Sequence, residues 1–112
     1  MAGSLKRGDI VTVAAPGDYG KPRPAVVIQS DWLDKTDSVL VALMTSALAD
    51  APIYRLDVEA TPASGLKVRS QVMVEKILAV PREKCGGKFG RLDDTTLIAL
   101  NHILSVVIGI AD

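Results

Sequence analysis

Two short, almost unbroken apolar runs constrain the fold more than any other feature of this sequence. The first extends from Ala25 to Gln29 and the second from Ser38 to Thr45. A run that is apolar at successive positions predicts a strand that is buried on both faces. We therefore expect the strand from Ala25 to Gln29 to lie at the centre of a sheet.

Weaker patterns on either side predict further strands and one terminal helix. Strands are predicted from Ile10 to Ala14, from Ile53 to Val58 and from Ser70 to Val80. Asp93 can cap a final helix, whose apolar residues recur every three or four positions until Gly109 ends it. Together these elements predict a mainly β chain, a small barrel-like sheet of about five to seven strands that carries a long C-terminal helix.

Length and composition favour a single globular domain. The chain has 112 residues, of which 48% are hydrophobic, and this is enough apolar material for one core. We assign residues 6–112 to that domain and treat residues 1–5 as a flexible or cloning-derived N-terminus. The 13 basic and 13 acidic residues cancel, but acids dominate residues 31–59 and bases dominate residues 67–91. This asymmetry leaves open a basic face for a polyanion, beside the ordinary alternative of mixed surface charge.

The sequence offers no pattern for a disulfide, a metal site or a membrane anchor. Cys85 is the only cysteine and His102 the only histidine, so an intrachain disulfide is ruled out and no ligand spacing for zinc exists. We interpret Cys85 as a structural cysteine, although Lys84 and Lys88 nearby would favour its thiolate. We expect neither metal nor cofactor. Without an apolar leader or a run of membrane-spanning length, the sequence predicts a cytoplasmic protein.

The residue that points most directly to chemistry is Arg23, which has a proline on each side. In Gly20-Lys21-Pro22-Arg23-Pro24 the two rings restrict the backbone around a permanently charged guanidinium, where a loop becomes a strand. A planar guanidinium offers donors that match phosphate oxygens. Arg23 therefore predicts a phosphate site, with a salt bridge to Asp18 as the structural alternative.

Several motifs occur in an order that resembles the MazF/PemK family of toxins. Each is weak alone, and together they extend over nearly the whole chain. The motifs are Arg7-Gly8-Asp9-Ile10, Gly20-Lys21-Pro22-Arg23-Pro24-Ala25-Val26-Val27, Leu43-Met44-Thr45-Ser46, Gly65-Leu66, Ser70-Gln71-Val72-Met73-Val74-Glu75-Lys76-Ile77 and Gly90-Arg91-Leu92. The resemblance implies a barrel like that of Src-homology-3 domains, of the type found in CcdB and MazF toxins, with a C-terminal helix.

The resemblance also implies a homodimer with sequence-specific, metal-independent endoribonuclease activity, which a cognate antitoxin restrains. Such an enzyme uses the ribose 2′-hydroxyl as nucleophile and leaves a 2′,3′-cyclic phosphate and a 5′-hydroxyl. Cutting of single-stranded mRNA then inhibits translation and growth. The protein must orient an in-line attack, move two protons and stabilise charge on the phosphate. Because His102 is the only histidine, one subunit cannot supply a catalytic pair of histidines.

The resemblance assigns catalytic roles to Arg23 and to Thr45, which stands at the end of a predicted strand. We expect Arg23 to stabilise phosphoryl charge, because a guanidinium that stays protonated is a poor base. The Thr45 hydroxyl can donate to a phosphate oxygen or align the 2′-hydroxyl. Ser46 is a candidate substrate contact, although alternation along a strand would send it to the opposite face from Thr45.

Two charged residues interrupt the long apolar strand that begins at Ser70. Glu75 stands where many members of the family carry an aspartate, and it is our third catalytic candidate, with a surface salt bridge as the alternative. Lys76 is a candidate substrate contact. Because neighbours on a strand face opposite sides, the two are not expected to share one site. Met73 replaces an arginine that is implicated in some members, which argues against a paired arginine and carboxylate here.

Tyr19 and Lys21, in the loop before Arg23, are candidate RNA contacts because tyrosine stacks on bases and lysine neutralises phosphate. Two other functions remain open. A CcdB-like protein would inhibit DNA gyrase without cutting nucleic acid, and a catalytically silent barrel would only bind RNA or a protein partner. Intact RNA after long incubation with the pure protein is the result that would favour these alternatives.

Overall fold

Six antiparallel strands form one sheet, and a helix follows them. The computed structural model describes residues 5–14 and 21–111, and in that part of the chain the strand order is β4-β5-β3-β2-β1-β6. The elements are β1 (Asp9–Ala14), β2 (Pro22–Val27), β3 (Ser38–Thr45), β4 (Arg55–Val58), β5 (Ser70–Pro81), β6 (Cys85–Arg91) and α1 (Asp94–Val107). The predicted mainly β fold with one C-terminal helix is confirmed. No helix in these residues is long and apolar enough to cross a membrane.

The two apolar runs lie at the middle of the sheet, as predicted. β3 has the predicted bounds, whereas β2 begins at Pro22 instead of Ala25. The reason is that β2 pairs with β1 from Pro22 onward, but its pairing with β3 covers only Ala25 to Val27. The prolines therefore lie where β2 has a single neighbour, which is the part of a sheet that tolerates a missing backbone N–H.

A large bulge interrupts β5. Its register pairs Ala42 of β3 with Ile77 but Met44 with Val72, so β5 takes five steps where β3 takes two. Bulges of this kind bend a strand. Glu75 lies within the bulge and so does Lys76, and both are exposed. A two-residue alternation does not apply inside the bulge, and Glu75 but not Lys76 lines a depression beside α1, so the two do not share that site.

The sheet separates two apolar clusters, and α1 covers one of them. Leu100 of α1 is fully buried in that cluster, against residues such as Val26 and Met44. The predicted cap is confirmed, because a carboxylate oxygen of Asp93 accepts a hydrogen bond from the backbone N–H of Thr96 at 2.7 Å. The second cluster includes Val13, Ala25, Val27, Val41 and Leu43.

The Arg7-Gly8-Asp9 motif links the start of β1 to the end of β6. Asp9 is fully buried and receives a hydrogen bond from Nη1 of Arg91 at 3.0 Å and one from the backbone N–H of Lys6 at 2.8 Å. The carbonyl of Gly8 accepts from the N–H of Leu92 at 2.9 Å. This motif is therefore structural, because it ties the start of the chain to the segment before α1.

Candidate active site

A cleft of about 680 Å³ opens at the end of the sheet where β2 begins and β3 ends. Antiparallel neighbours bring the start of one strand beside the end of the next, so two segments that are distant in sequence meet there. The cleft is lined by Thr12, Pro22, Arg23, Pro24, Met44, Thr45, Ser46, Gly65, Leu66, Lys67, Val68, Ser70 and Phe89.

β2 and β3 bring Arg23 and Thr45 to the same cleft. The pairing of β2 with β3 begins at Ala25, which lies opposite Leu43, and Arg23 and Thr45 each stand two residues beyond that pair on their own strands. Both line the cleft. Both side chains are partly buried, so each combines a fixed backbone with access to solvent.

The Thr45 hydroxyl is held by the chain that follows β3. Its Oγ1 accepts a hydrogen bond from the backbone N–H of Ala47 at 3.0 Å. Because this contact uses a lone pair, the hydroxyl proton stays available to donate to a ligand. Ser46 lines the same cleft. The alternation that would separate it from Thr45 does not apply, because β3 ends at Thr45.

The charge of the described lining residues is positive. Arg23 and Lys67 are the cations, and none of the lining residues is acidic. A cleft walled by one sign of charge attracts ligands of the other sign. Phe89, which is partly exposed at 39%, adds an aromatic ring to the wall. The arrangement suits a ligand with phosphate groups and a flat base.

One wall of the cleft depends on a close backbone approach between a turn and β6. The turn is fixed by reciprocal bonds between Thr61 and Ser64, each of whose side chains accepts from the other's backbone N–H at 3.0 Å. Gly65 has φ +70°, a left-handed conformation that favours glycine. A Cβ on Gly90 would lie 1.8 Å from the carbonyl oxygen of Ser64, so only a glycine fits there.

The structure does not bring every predicted site residue into this cleft. Glu75 lines a different depression of about 520 Å³, with Ile53, Tyr54 and the end of α1. Glu75 therefore lies outside the cleft that Arg23 and Thr45 line, and its catalytic role stays a prediction. Lys76 follows it on the surface and Lys21 is exposed at the start of β2, and neither lines the cleft. Tyr19 lies outside the described residues.

Cys85 is buried, and burial raises the pKa of its thiol, which Arg82 opposes only as a smaller influence. The thiol therefore stays neutral, and the expectation that Lys84 and Lys88 would favour the thiolate is wrong. Among residues 5–14 and 21–111, no group of three or more histidine, cysteine or acidic side chains could hold a metal ion.

Sequence reasoning missed several lining residues, among them Lys67, Val68 and Phe89. The Gly65-Leu66 motif marked the neighbourhood of the first two. Phe89 carried no usable signal, because it lies among glycines that are typical of loops. These residues reach the cleft through contacts between β6 and a turn some 25 positions earlier in the chain.

The fold and the cleft define a small β-sheet protein with a C-terminal helix and a cationic cleft, and comparisons with known proteins show its family. Residues 6–108 match the family described as PemK-like, MazF-like toxin of type II toxin-antitoxin system. A "Probable endoribonuclease MazF" from Mycolicibacterium smegmatis is 44% identical over 108 residues, covering 96% of this chain and 99% of that protein.

Solved structures give the same fold at low sequence identity. The Mycobacterium tuberculosis toxin MazF-mt6 matches with a TM-score of 0.78 and 20% identity, covering 90% of this chain and 96% of that one. A mycobacterial endoribonuclease in complex with its cognate antitoxin matches with a TM-score of 0.80 and 17% identity, over 97% and 99% of the two chains. A MazE-MazF structure from Deinococcus radiodurans matches with a TM-score of 0.76 and 15% identity, over 96% and 97%.

The chain therefore belongs to the PemK-like, MazF-like toxins of type II toxin-antitoxin systems, a family of RNA-cleaving toxins. The predicted family, fold and endoribonuclease class are confirmed. The match does not favour the CcdB-like alternative.

Proposed function

We propose that this toxin binds single-stranded RNA in the cationic cleft and cleaves it by attack of the ribose 2′-hydroxyl on the adjacent phosphate. The observation that carries the proposal is that Arg23 and Thr45, both assigned catalytic roles by the resemblance, line one cleft in which none of the described lining residues is acidic. The reaction needs no metal in this proposal, because the protein's own donors supply the charge stabilisation.

Arg23 and Thr45 have distinct roles in this mechanism. As the 2′-oxygen bonds to phosphorus and the 5′-oxygen leaves, negative charge develops on the non-bridging oxygens, and the Arg23 guanidinium can bind two of them through its planar donors. The Thr45 hydroxyl donates a further hydrogen bond, since Ala47 already occupies one of its lone pairs. The products are a 2′,3′-cyclic phosphate and a 5′-hydroxyl.

RNA binding beyond the cleaved phosphate uses the rest of the cleft. Lys67 neutralises a neighbouring phosphate and Phe89 stacks on a base. Ser46 donates from the rim, while Lys21, Lys76 and Tyr19 remain predicted contacts for more distant parts of the strand. Discrimination among sequences then depends on the bases that these walls admit.

A cognate antitoxin and a second copy of the chain are the proposed protein partners. Solved complexes of related toxins with antitoxins support the first. For the second, the support is exposed apolar surface beside α1, where Ile53 is 66% exposed in a depression shared with Val106 and Val107. Light scattering on the purified toxin should give twice the chain mass of 11.8 kDa.

The main test is cleavage of a mixed-sequence RNA by antitoxin-free protein in the presence of EDTA. We expect defined fragments that end in a cyclic phosphate. Arg23→Ala should lower kcat by about 10²- to 10³-fold, the usual cost of removing one donor to a developing oxyanion. Arg23→Lys should recover only part of this loss, because lysine keeps the charge without the planar pair of donors.

The matched control is Lys35→Ala, which removes an exposed cation outside the cleft and should leave kcat unchanged. Uncut RNA with wild-type protein, or a 5′-phosphate on the fragments, would contradict the proposed reaction. Glu75→Gln tests the carboxylate directly: unchanged cleavage is expected from its place outside the cleft, and a large loss would return it to the mechanism.

A further inference from the structure

A row of polar side chains crosses the sheet beside the cleft. Thr45 of β3 is paired with Gln71 of β5, and Gln71 is paired with Asp57 of β4. Arg23 lines the same cleft as Thr45, beyond the paired part of β2 and β3. The row thus leads from Thr45, which lines the cleft, to residues that do not line it.

Gln71 uses its whole hydrogen-bonding capacity at this position. Its Nε2 donates to the carbonyl of Ala49 at 3.0 Å and to Oδ1 of Asp57 at 2.8 Å. Its Oε1 accepts from the backbone N–H of Ala49 at 3.0 Å and from Nη1 of Arg55 at 2.9 Å. A side-chain amide has two donor protons and two acceptor lone pairs, so all four are used.

These contacts fix the connection that follows Thr45 and leads to β4. Two hydrogen bonds join the Gln71 amide to both the backbone N–H and the backbone carbonyl of Ala49. Arg55 adds a second hold, because its Nη1 also donates to the carbonyl of Ala47 at 3.3 Å. Ala47 is the residue whose N–H fixes the Thr45 hydroxyl. Gln71 and Arg55 therefore fix the connection between β3 and β4, and that connection in turn fixes the position of the Thr45 hydroxyl.

The burial of Gln71 makes its contacts to this connection more rigid. Gln71 is only 6% exposed, so water cannot easily replace the partners that it would lose. A buried amide whose donors and acceptors are all used, as those of Gln71 are, restricts motion more than the same bonds would at a surface. The side-chain hydrogen bonds of Gln71 go to Ala49, Arg55 and Asp57, none of which lines the cleft, so this side chain acts through other residues.

We infer that Gln71, assisted by Arg55, is a positioning residue that fixes the connection after β3 and thereby aims the Thr45 hydroxyl at the scissile phosphate. This inference rests on the proposed function for its catalytic consequence. The structural part, the hold on Ala47 and Ala49, can be measured without RNA.

The test compares Gln71→Met with Gln29→Met. Gln29 is a matched control because it is the other buried glutamine, 7% exposed, and its amide also holds a loop, through the carbonyl of Leu33 at 2.7 Å and the hydroxyl of Thr36 at 2.9 Å. That loop does not contribute to the cleft. Both substitutions remove a buried amide, so a general loss of stability should affect both.

We expect Gln71→Met to lower kcat by about 10- to 100-fold with little change in KM, since a misplaced catalytic group costs rate more than binding. Gln29→Met should keep the wild-type kcat. Amide hydrogen exchange should become faster at Ala47 and Ala49 in Gln71→Met only. Equal loss of kcat in both variants, or a wild-type kcat in Gln71→Met, would overturn the inference.

If Gln71→Met does not fold, Arg55→Met supplies the second variant, because it removes the contact to Ala47 and leaves Gln71 in place. Arg55→Met should also lower kcat and speed amide hydrogen exchange at Ala47. If it does neither, the inference that these side chains fix the connection after β3 is refuted. Wild-type protein that leaves RNA intact would refute the proposed function instead, while the exchange measurements still decide whether Gln71 holds the connection.

Discussion

Gly90→Ala is predicted to disturb the cleft by displacing the turn that contains Ser64 and precedes Leu66. The added methyl group would lie 1.8 Å from the carbonyl oxygen of Ser64 and 2.2 Å from its carbonyl carbon. Both atoms belong to backbone, so no side-chain rotation relieves the overlap. Since a carbon and an oxygen need about 3.3 Å, the turn that contains Ser64 must retreat by about 1.5 Å.

That displacement determines how much stability the substitution costs. It would break the hydrogen bond from the N–H of Arg91 to the carbonyl of Ala63, which measures 2.9 Å. Losing this bond costs about 1 kcal/mol, overpacking adds about 1 to 3 kcal/mol, and the stiffer unfolded chain returns about 0.5 kcal/mol. We expect a net loss of about 1.5 to 3.5 kcal/mol, which lowers Tm by about 6 to 14 °C in a domain of this size.

Gly87→Ala is the control within the same strand, because nothing lies within 4 Å of a Cβ built there. Its Tm should stay the same or rise by up to about 4 °C. Calorimetry measures both variants, and RNA cleavage should fall in Gly90→Ala as the wall formed by Leu66 and Phe89 moves. If Gly90→Ala melts within about 2 °C of wild type, the close approach does not constrain the wall and the reasoning fails.

Two further predictions concern titratable groups. Cys85 is buried with a raised thiol pKa, so iodoacetamide at pH 8 should modify it far more slowly in the folded protein than in urea, as mass spectrometry would show; equal rates would contradict its burial. Asp93→Ala should lower Tm at pH 7, because the N–H of Thr96 lowers the pKa of the Asp93 carboxyl. A lowered pKa stabilises the fold above the ordinary aspartate value of about 4 and loses that effect as pH falls, so the Tm difference should shrink in acid; a constant difference would exclude the charge as its cause.

The sequence predicted the parts of the fold and site that depend on local pattern. β3 has the expected bounds because eight successive residues carry a strand pattern without a break. Arg23 could be chosen from its proline-flanked motif and Thr45 from the family resemblance, and both line one cleft at the end of two adjacent strands. A local motif and an ordered family pattern were sufficient for this result.

What the sequence did not predict depends on contacts between distant segments. β6 contains glycines that disfavour strands, and Gly90 is explained only by the carbonyl of Ser64 beside it. Glu75 was proposed from the family resemblance, and its place outside the cleft could not be predicted because a two-residue period does not reveal the bulge that shifts the register of β5. Gln71 has no unusual sequence context, and its role follows only from its four partners.

The pairing of β1 with β6 has a consequence for the order in which the protein is made. Roughly 75 residues separate the ends of these strands, so a ribosome adding 5 to 20 residues per second needs about 4 to 15 s to supply the second after the first. During that interval Thr12 has no Phe89 across the cleft. A nascent toxin therefore lacks one wall of its site until β6 has been made, and a chain that ends before Phe89 cannot form the complete cleft.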